Sequence, residues 1–103
     1  MNWSVKGLVL AAAAVCVAGP ATAQEELLKK YGCLACHTLD KKLVGPAYKD
    51  VAAKYKGQGD APDKLLEKVR RGGQGVWGQI PMPPNPTVPE ADLRSMIKYI
   101  LAL

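Results

Sequence analysis

Apolar positions along this chain recur at three- and four-residue spacing, and nowhere do apolar and polar residues alternate long enough to argue for a strand, so the pattern predicts an all-α protein. A first helix is expected from about Glu25 to Tyr31, with Leu27, Leu28 and Tyr31 on one face, two acids where the helix dipole favours them, and Gly32 just beyond. A second should follow Gly45-Pro46, running from Ala47 to about Tyr55 with Tyr48, Val51, Ala52 and Tyr55 turned inward, and stop at Gly57. A third opens at Ala61-Pro62-Asp63 with Asp60 as its candidate N-cap, carries Leu65, Leu66 and Val69, and ends at Gly72-Gly73. The last begins near Pro89-Glu90, and Leu93, Met96, Ile97, Ile100 and Leu101 give it the strongest apolar stripe of the chain.

Two stretches break this pattern. Gly72 to Val88 is rich in Gly and Pro without helical period, and structureless loops longer than about 12 to 15 residues are usually functional or disordered. Val76, Trp77, Ile80 and Met82 are too apolar for disorder, so the segment reads as a loop wrapped over a cofactor. At the other end, Lys6 precedes an unbroken apolar run from Gly7 to Ala18, Gly19-Pro20 closes it, and Ala21-Thr22-Ala23 offers an A-x-A cleavage site. The run is shorter than the roughly 20 residues a membrane-spanning helix needs. Residues 1–23 are therefore expected to be a cleaved secretory signal, and 24–103 a single domain exported to the periplasm without stable membrane insertion.

The chain has 103 residues and a formal net charge of +5. Signal removal takes away only Lys6 among the charged side chains, so the basic excess survives export. Its lysines are scattered in pairs such as Lys29-Lys30 and Lys41-Lys42, with no nucleic-acid motif, which excludes that partner class. They read chiefly as solvated faces, with steering toward an acidic partner as the functional remainder. A core this small commonly needs a metal, a disulfide or another staple.

Cys33-Leu34-Ala35-Cys36-His37 supplies one, because C-x-x-C-H is the attachment signature of a c-type haem. Two thiols three positions apart can add to the two vinyl groups of one porphyrin, and the adjacent imidazole is then held within reach of the iron. Other uses of C-x-x-C fit less well. A redox dithiol normally accompanies a βαβ pattern that is missing here. A structural zinc site needs four ligands, but His37 is the single histidine and Cys16 falls in the predicted signal. A disulfide across so small a loop gives His37 no reason to follow.

Haem iron with one protein ligand needs a second, and Met/His ligation is the arrangement that raises the potential in cytochromes c. Met96 fits the apolar stripe of the last helix, where a core role suits it. Met82 is different. Ile80-Pro81-Met82-Pro83-Pro84 fixes three φ angles around it and makes the segment stiff and extended, with no backbone partner in sight to explain that conformation. Rigid presentation of one side chain to the iron is the preferred reading, and a proline-rich surface element the alternative.

Three ordered segments now carry a resemblance. Cys33 to His37, Gly45-Pro46-Ala47-Tyr48-Lys49-Asp50-Val51-Ala52, and Gln74-Gly75-Val76-Trp77-Gly78 with Ile80-Pro81-Met82-Pro83-Pro84-Asn85 resemble the small class I bacterial cytochromes c of the five-fifty-one type, across essentially the whole mature chain. The resemblance implies a small class I cytochrome c fold, about four helices around one covalent haem c, with the first and last helices crossing. It implies thioethers at Cys33 and Cys36, axial ligands His37 and Met82, and a Pro46 carbonyl that takes the other imidazole N–H of His37. Trp77 would donate to a propionate, Asn85 would lie near the methionine sulfur, and Lys68 or Arg70 would approach a propionate. Gln79 stands where some relatives have proline.

The function implied is that of a one-electron carrier rather than an enzyme, expected as a monomer. Its exit would be the haem edge ringed by Leu34, Ala35, Leu43, Val44, Ile80, Pro81 and Pro84, a transient docking patch of low buried area. Relatives of this type serve nitrite reductases, terminal oxidases, peroxidases and membrane cytochrome complexes, so redox proteins are the expected partners. A haem enzyme or gas sensor with a labile Met82, and a haem-free dithiol or metal module, are the rival readings.

Overall fold

Helix α1 (Ala23–Lys30) opens at Thr22, whose side chain accepts a hydrogen bond from the Glu25 N–H, with Glu25 and Glu26 in its first turn and Lys29 and Lys30 in its last. The computed structural model describes residues 22–103. The predicted signal lies outside them except for Thr22 and Ala23, which serve as cap and first residue of α1. That start is earlier than the expected Glu25, because Thr22 offers a capping hydroxyl that apolar periodicity does not register.

A single 3-10 turn (Cys33–Ala35) follows, then α2 (Tyr48–Tyr55), α3 (Ala61–Arg71) and α4 (Glu90–Leu101). Among the described residues there is no strand, and the chain is all-α as the periodicity predicts. Asp60 occupies the N-cap position of α3, but its carboxylate makes no capping bond and pairs instead with Lys64 at 3.1 Å, one turn on.

Helix α4 is the hub. Helices α1, α2 and α3 each pack on it, and Leu28, Leu93 and Met96 are the largest fully buried side chains. Met96 thus takes the core place expected of it. Tyr48, Val51, Leu66, Val88, Ile97 and Ile100 complete the apolar centre.

Polar ties hold α1 against α4. The Tyr31 hydroxyl donates to Asp92 Oδ2 at 2.6 Å, and the Tyr99 hydroxyl donates to Glu25 in the reverse sense. Both phenols are pushed above their ordinary value, first by the bond to the carboxylate and then by partial desolvation. A phenol raised in the folded state contributes stability that is fully present below its unfolded pKa of about 10 and is lost as pH rises through the folded value. A Tyr31→Phe, Tyr99→Phe double variant is therefore expected to be less stable than the parent at neutral pH and to lose less on going above pH ~10. Denaturant unfolding across that pH range checks this, and parallel stability curves would contradict it.

Candidate functional site

The cysteines leave α1 through a tight turn. Gly32 sits at φ 74°, in the left-handed region that side chains avoid, and directs the chain into the 3-10 turn. The Cys36 and His37 N–H groups both donate to the Cys33 carbonyl, at 3.2 and 3.0 Å. Residues three apart on such a turn eclipse one another, which brings Cys33 and Cys36 to the same side. Both are free thiols, and burial pushes the Cys33 thiol above its ordinary value.

His37 follows at once. Its Nδ1 lies 2.8 Å from the Pro46 carbonyl oxygen. A carbonyl has no proton to give, so Nδ1 carries a hydrogen and Nε2 is the nitrogen left for a metal. The loop that carries His37 is stitched to α2: Tyr48 N–H donates to Thr38 O and Lys49 N–H to Leu39 O, both at 2.9 Å, while Gly45 N–H donates to Cys36 O at 2.7 Å. The Tyr48 and Lys49 bonds occupy N–H groups at a helix start that lack partners within the helix.

Gly45 packs directly on the imidazole. A Cβ there would sit 2.5 Å from His37 Cε1 and within about 3 Å of both ring nitrogens, over the ring rather than at its edge. Gly45→Ala is expected to displace His37 from Pro46 and to cost the about 1–3 kcal/mol typical of overpacking. Thermal or denaturant unfolding measures it, and an unchanged midpoint would show that the imidazole has room.

Met82 is held by the long loop. Its N–H donates to Gly73 O at 2.8 Å and its carbonyl accepts from Gly73 N–H at 3.0 Å, an isolated antiparallel bridge. This corrects the sequence reading, which found no backbone partner for the extended proline segment. Gly73 lies just after α3 and nine residues before Met82, beyond the range of any local pattern. Glycine is required next door too, since a Cβ on Gly72 would collide with the Met82 carbonyl oxygen.

All seven residues singled out from the sequence, Cys33, Cys36, His37, Pro46, Trp77, Met82 and Asn85, line one cavity of about 500 Å³. Leu28, Val51, Leu65, Val69, Leu93 and Ile97 supply much of the rest of its wall. Trp77 is 40% exposed, and the Lys54 ammonium stands 5.5 Å from its ring centroid. The Asn85 side-chain amide donates to Pro83 O at 3.1 Å, and its backbone N–H donates to Val69 O at 2.9 Å, which anchors the loop to α3. Of the two basic residues considered for a propionate, Lys68 lines the cavity and Arg70 does not. Gln79 also lines it.

Tyr48 was legible in the sequence only as an inward-facing residue. Its ring stacks on His37 with centroids 4.8 Å apart and planes 17° from parallel. Its hydroxyl faces the Cys33 sulfur, and burial chiefly, with that neighbour, drives its pKa well above the ordinary phenol value. The signal that could have found it is its place two residues after Pro46.

The donor set fits a covalently bound haem. Two free thiols and an imidazole whose Nδ1 is taken by Pro46 line one cavity with largely apolar walls, the kind of concave apolar site that buries a large flat ligand. A family model for cytochrome c matches residues 21–103. The chain belongs to the cytochrome c family. Cytochrome c-551 of Allochromatium vinosum is 51% identical over 94 residues, 91% of this chain and 100% of that one. Cytochrome c-552 of Nitrosomonas europaea is 52% identical over 93 residues, 90% of each chain. The crystal structure of the Nitrosomonas protein superposes with a TM-score of 0.73, covering 76% of this chain and 96% of that chain at 51% identity. This cytochrome c is thus a small class I member that carries covalently attached haem c and moves electrons, a carrier rather than an enzyme.

Proposed function

We propose that this cytochrome c is a periplasmic one-electron carrier, its single haem bound through Cys33 and Cys36 and closed between His37 and Met82. The observation that carries the reading is that Cys33, Cys36, His37 and Met82 line one largely apolar cavity, with both candidate ligands held by backbone contacts. The haem supplies one-electron exchange between Fe(II) and Fe(III). His37 is oriented by the Pro46 carbonyl, and Met82 by the Gly73 bridge and its flanking prolines. A thioether favours the ferrous state, and ligands on rigid supports need little rearrangement between oxidation states. Trp77 and Lys68 are placed to offer an indole N–H and an ammonium to propionates, and Asn85 braces the loop beside Met82.

Leu34, Ala35, Leu43, Val44, Ile80, Pro81 and Pro84 are all exposed, Ile80 to 66%. Exposed apolar residues grouped around a cofactor edge suit brief docking of redox proteins, with nitrite reductase, a terminal oxidase, a peroxidase or a membrane cytochrome complex as candidate partners. Lys41 and Lys42 precede Leu43 and add a charge for steering.

Export is supported by the apolar run from Gly7 to Ala18 and the A-x-A site at Ala23. Among the described residues no helix is long and apolar enough to cross a membrane. Cleavage after Ala23 removes the Thr22 cap, so mature α1 starts at Gln24 with its first N–H groups facing water.

Stopped-flow mixing of the reduced holoprotein with membrane and periplasmic redox fractions of its host tests the function. Rapid oxidation that leaves the ferrous spectrum insensitive to carbon monoxide is expected. A protein that binds carbon monoxide readily and exchanges electrons slowly would be a haem enzyme or sensor.

A further inference from the structure

The contact between His37 and Pro46 leaves one degree of freedom unsettled. A single hydrogen bond from Nδ1 fixes where the ring points, but the imidazole plane can still pivot about the line through that bond. A plane is fixed by a second plane. Tyr48 supplies one, with its ring 17° from parallel to the imidazole at a 4.8 Å centroid separation.

The Tyr48 ring is itself held at its root. At its root it is the first residue of α2, with its N–H on Thr38 O at 2.9 Å and the residue only 5% exposed. At its tip the hydroxyl faces the Cys33 sulfur. Gly45, Pro46 and Tyr48 therefore act from one four-residue segment: Gly45 lets the backbone close on the imidazole, Pro46 takes its proton, and Tyr48 lies against its face.

We propose that Tyr48 is a positioning residue for the axial imidazole, its stacked ring setting the orientation of the His37 plane relative to the haem. The proposal rests on His37 being an axial ligand. Stacking carries the effect, so a phenyl ring of the same shape preserves it, whereas the hydroxyl contact to Cys33 only steadies the ring. The orientation of an axial imidazole plane decides how unpaired spin is distributed over a ferric porphyrin, so it is read directly from the haem-methyl resonances.

The experiment is proton NMR of ferric holoprotein for the parent, Tyr48→Phe and Tyr48→Leu, each as its cyanide adduct. Cyanide replaces the methionine with an axially symmetric ligand, so the methyl pattern then reports His37 alone. Tyr48→Phe is expected to keep the parent order and spread of methyl shifts, and Tyr48→Leu to change them. A Leu variant that is less stable but keeps the parent pattern overturns the proposal and leaves Tyr48 as packing only. Should that variant fail to fold, cross-relaxation between the Tyr48 and His37 ring protons in the diamagnetic ferrous parent decides the matter: its presence is expected, and its absence overturns the stack. Loss of a cyanide-ligated low-spin spectrum in the parent would instead refute His37 as ligand, a separate failure.

Discussion

An exported Cys33→Ser, Cys36→Ser double variant is expected to carry no covalent haem and to fail to accumulate as a folded protein. Serine hydroxyls do not add to vinyl groups under conditions where thiolates do, so the cofactor loses both of its covalent ties. The structural consequence follows from the cavity. Helices α1, α2 and α3 all lean on α4, and about 500 Å³ between them is walled largely by apolar side chains. Core voids cost about 24 cal/mol per Å³, which for this volume gives ~12 kcal/mol as an upper bound, since water entering the space relieves part of it. That is comparable with the whole ~5–15 kcal/mol by which domains are stable. Haem capture and folding are then one event, as metal binding and folding are in small metallodomains. Haem staining with far-ultraviolet circular dichroism measures both, and a haem-free double variant melting like the holoprotein would contradict the coupling.

Met82→Ala should behave in the opposite way: haem remains attached, the fold persists, and one axial position opens. Met82 belongs to a loop pinned at Gly73, Val69 and Pro83 by backbone and Asn85 contacts, none of which uses the Met82 side chain. The variant is expected to bind carbon monoxide when ferrous and to drop in potential by roughly a tenth or more of the ~0.8 V range that axial ligands span. Voltammetry and carbon monoxide difference spectra check it. A variant with parent potential and no affinity for carbon monoxide would remove Met82 from the ligand set.

Much of this protein was readable before its structure, and for identifiable reasons. Helices α2, α3 and α4 announce themselves by apolar spacing and by Gly and Pro at their ends, and the five residues from Cys33 to His37 are contiguous, so their chemistry needs no fold to be recognised. The start of α1 depended on a hydroxyl cap at Thr22, and the 3-10 turn at Cys33–Ala35 is too short to show a period. What stayed hidden is contact between segments distant in sequence. The Gly73–Met82 bridge, the reciprocal tyrosine bonds of α1 and α4, and the lining of the cavity by Lys68 and not Arg70 are products of tertiary placement. Tyr48 lies between these cases, visible as a buried face yet silent about the imidazole it covers.

The most direct test of a closed, six-coordinate haem is the absorption spectrum of the purified ferric protein at neutral pH. A low-spin spectrum is expected, with the weak methionine-to-iron charge-transfer band near its red end and no shift on adding azide or imidazole at modest concentration. A high-spin spectrum that lacks this band and moves readily with added ligand would contradict it.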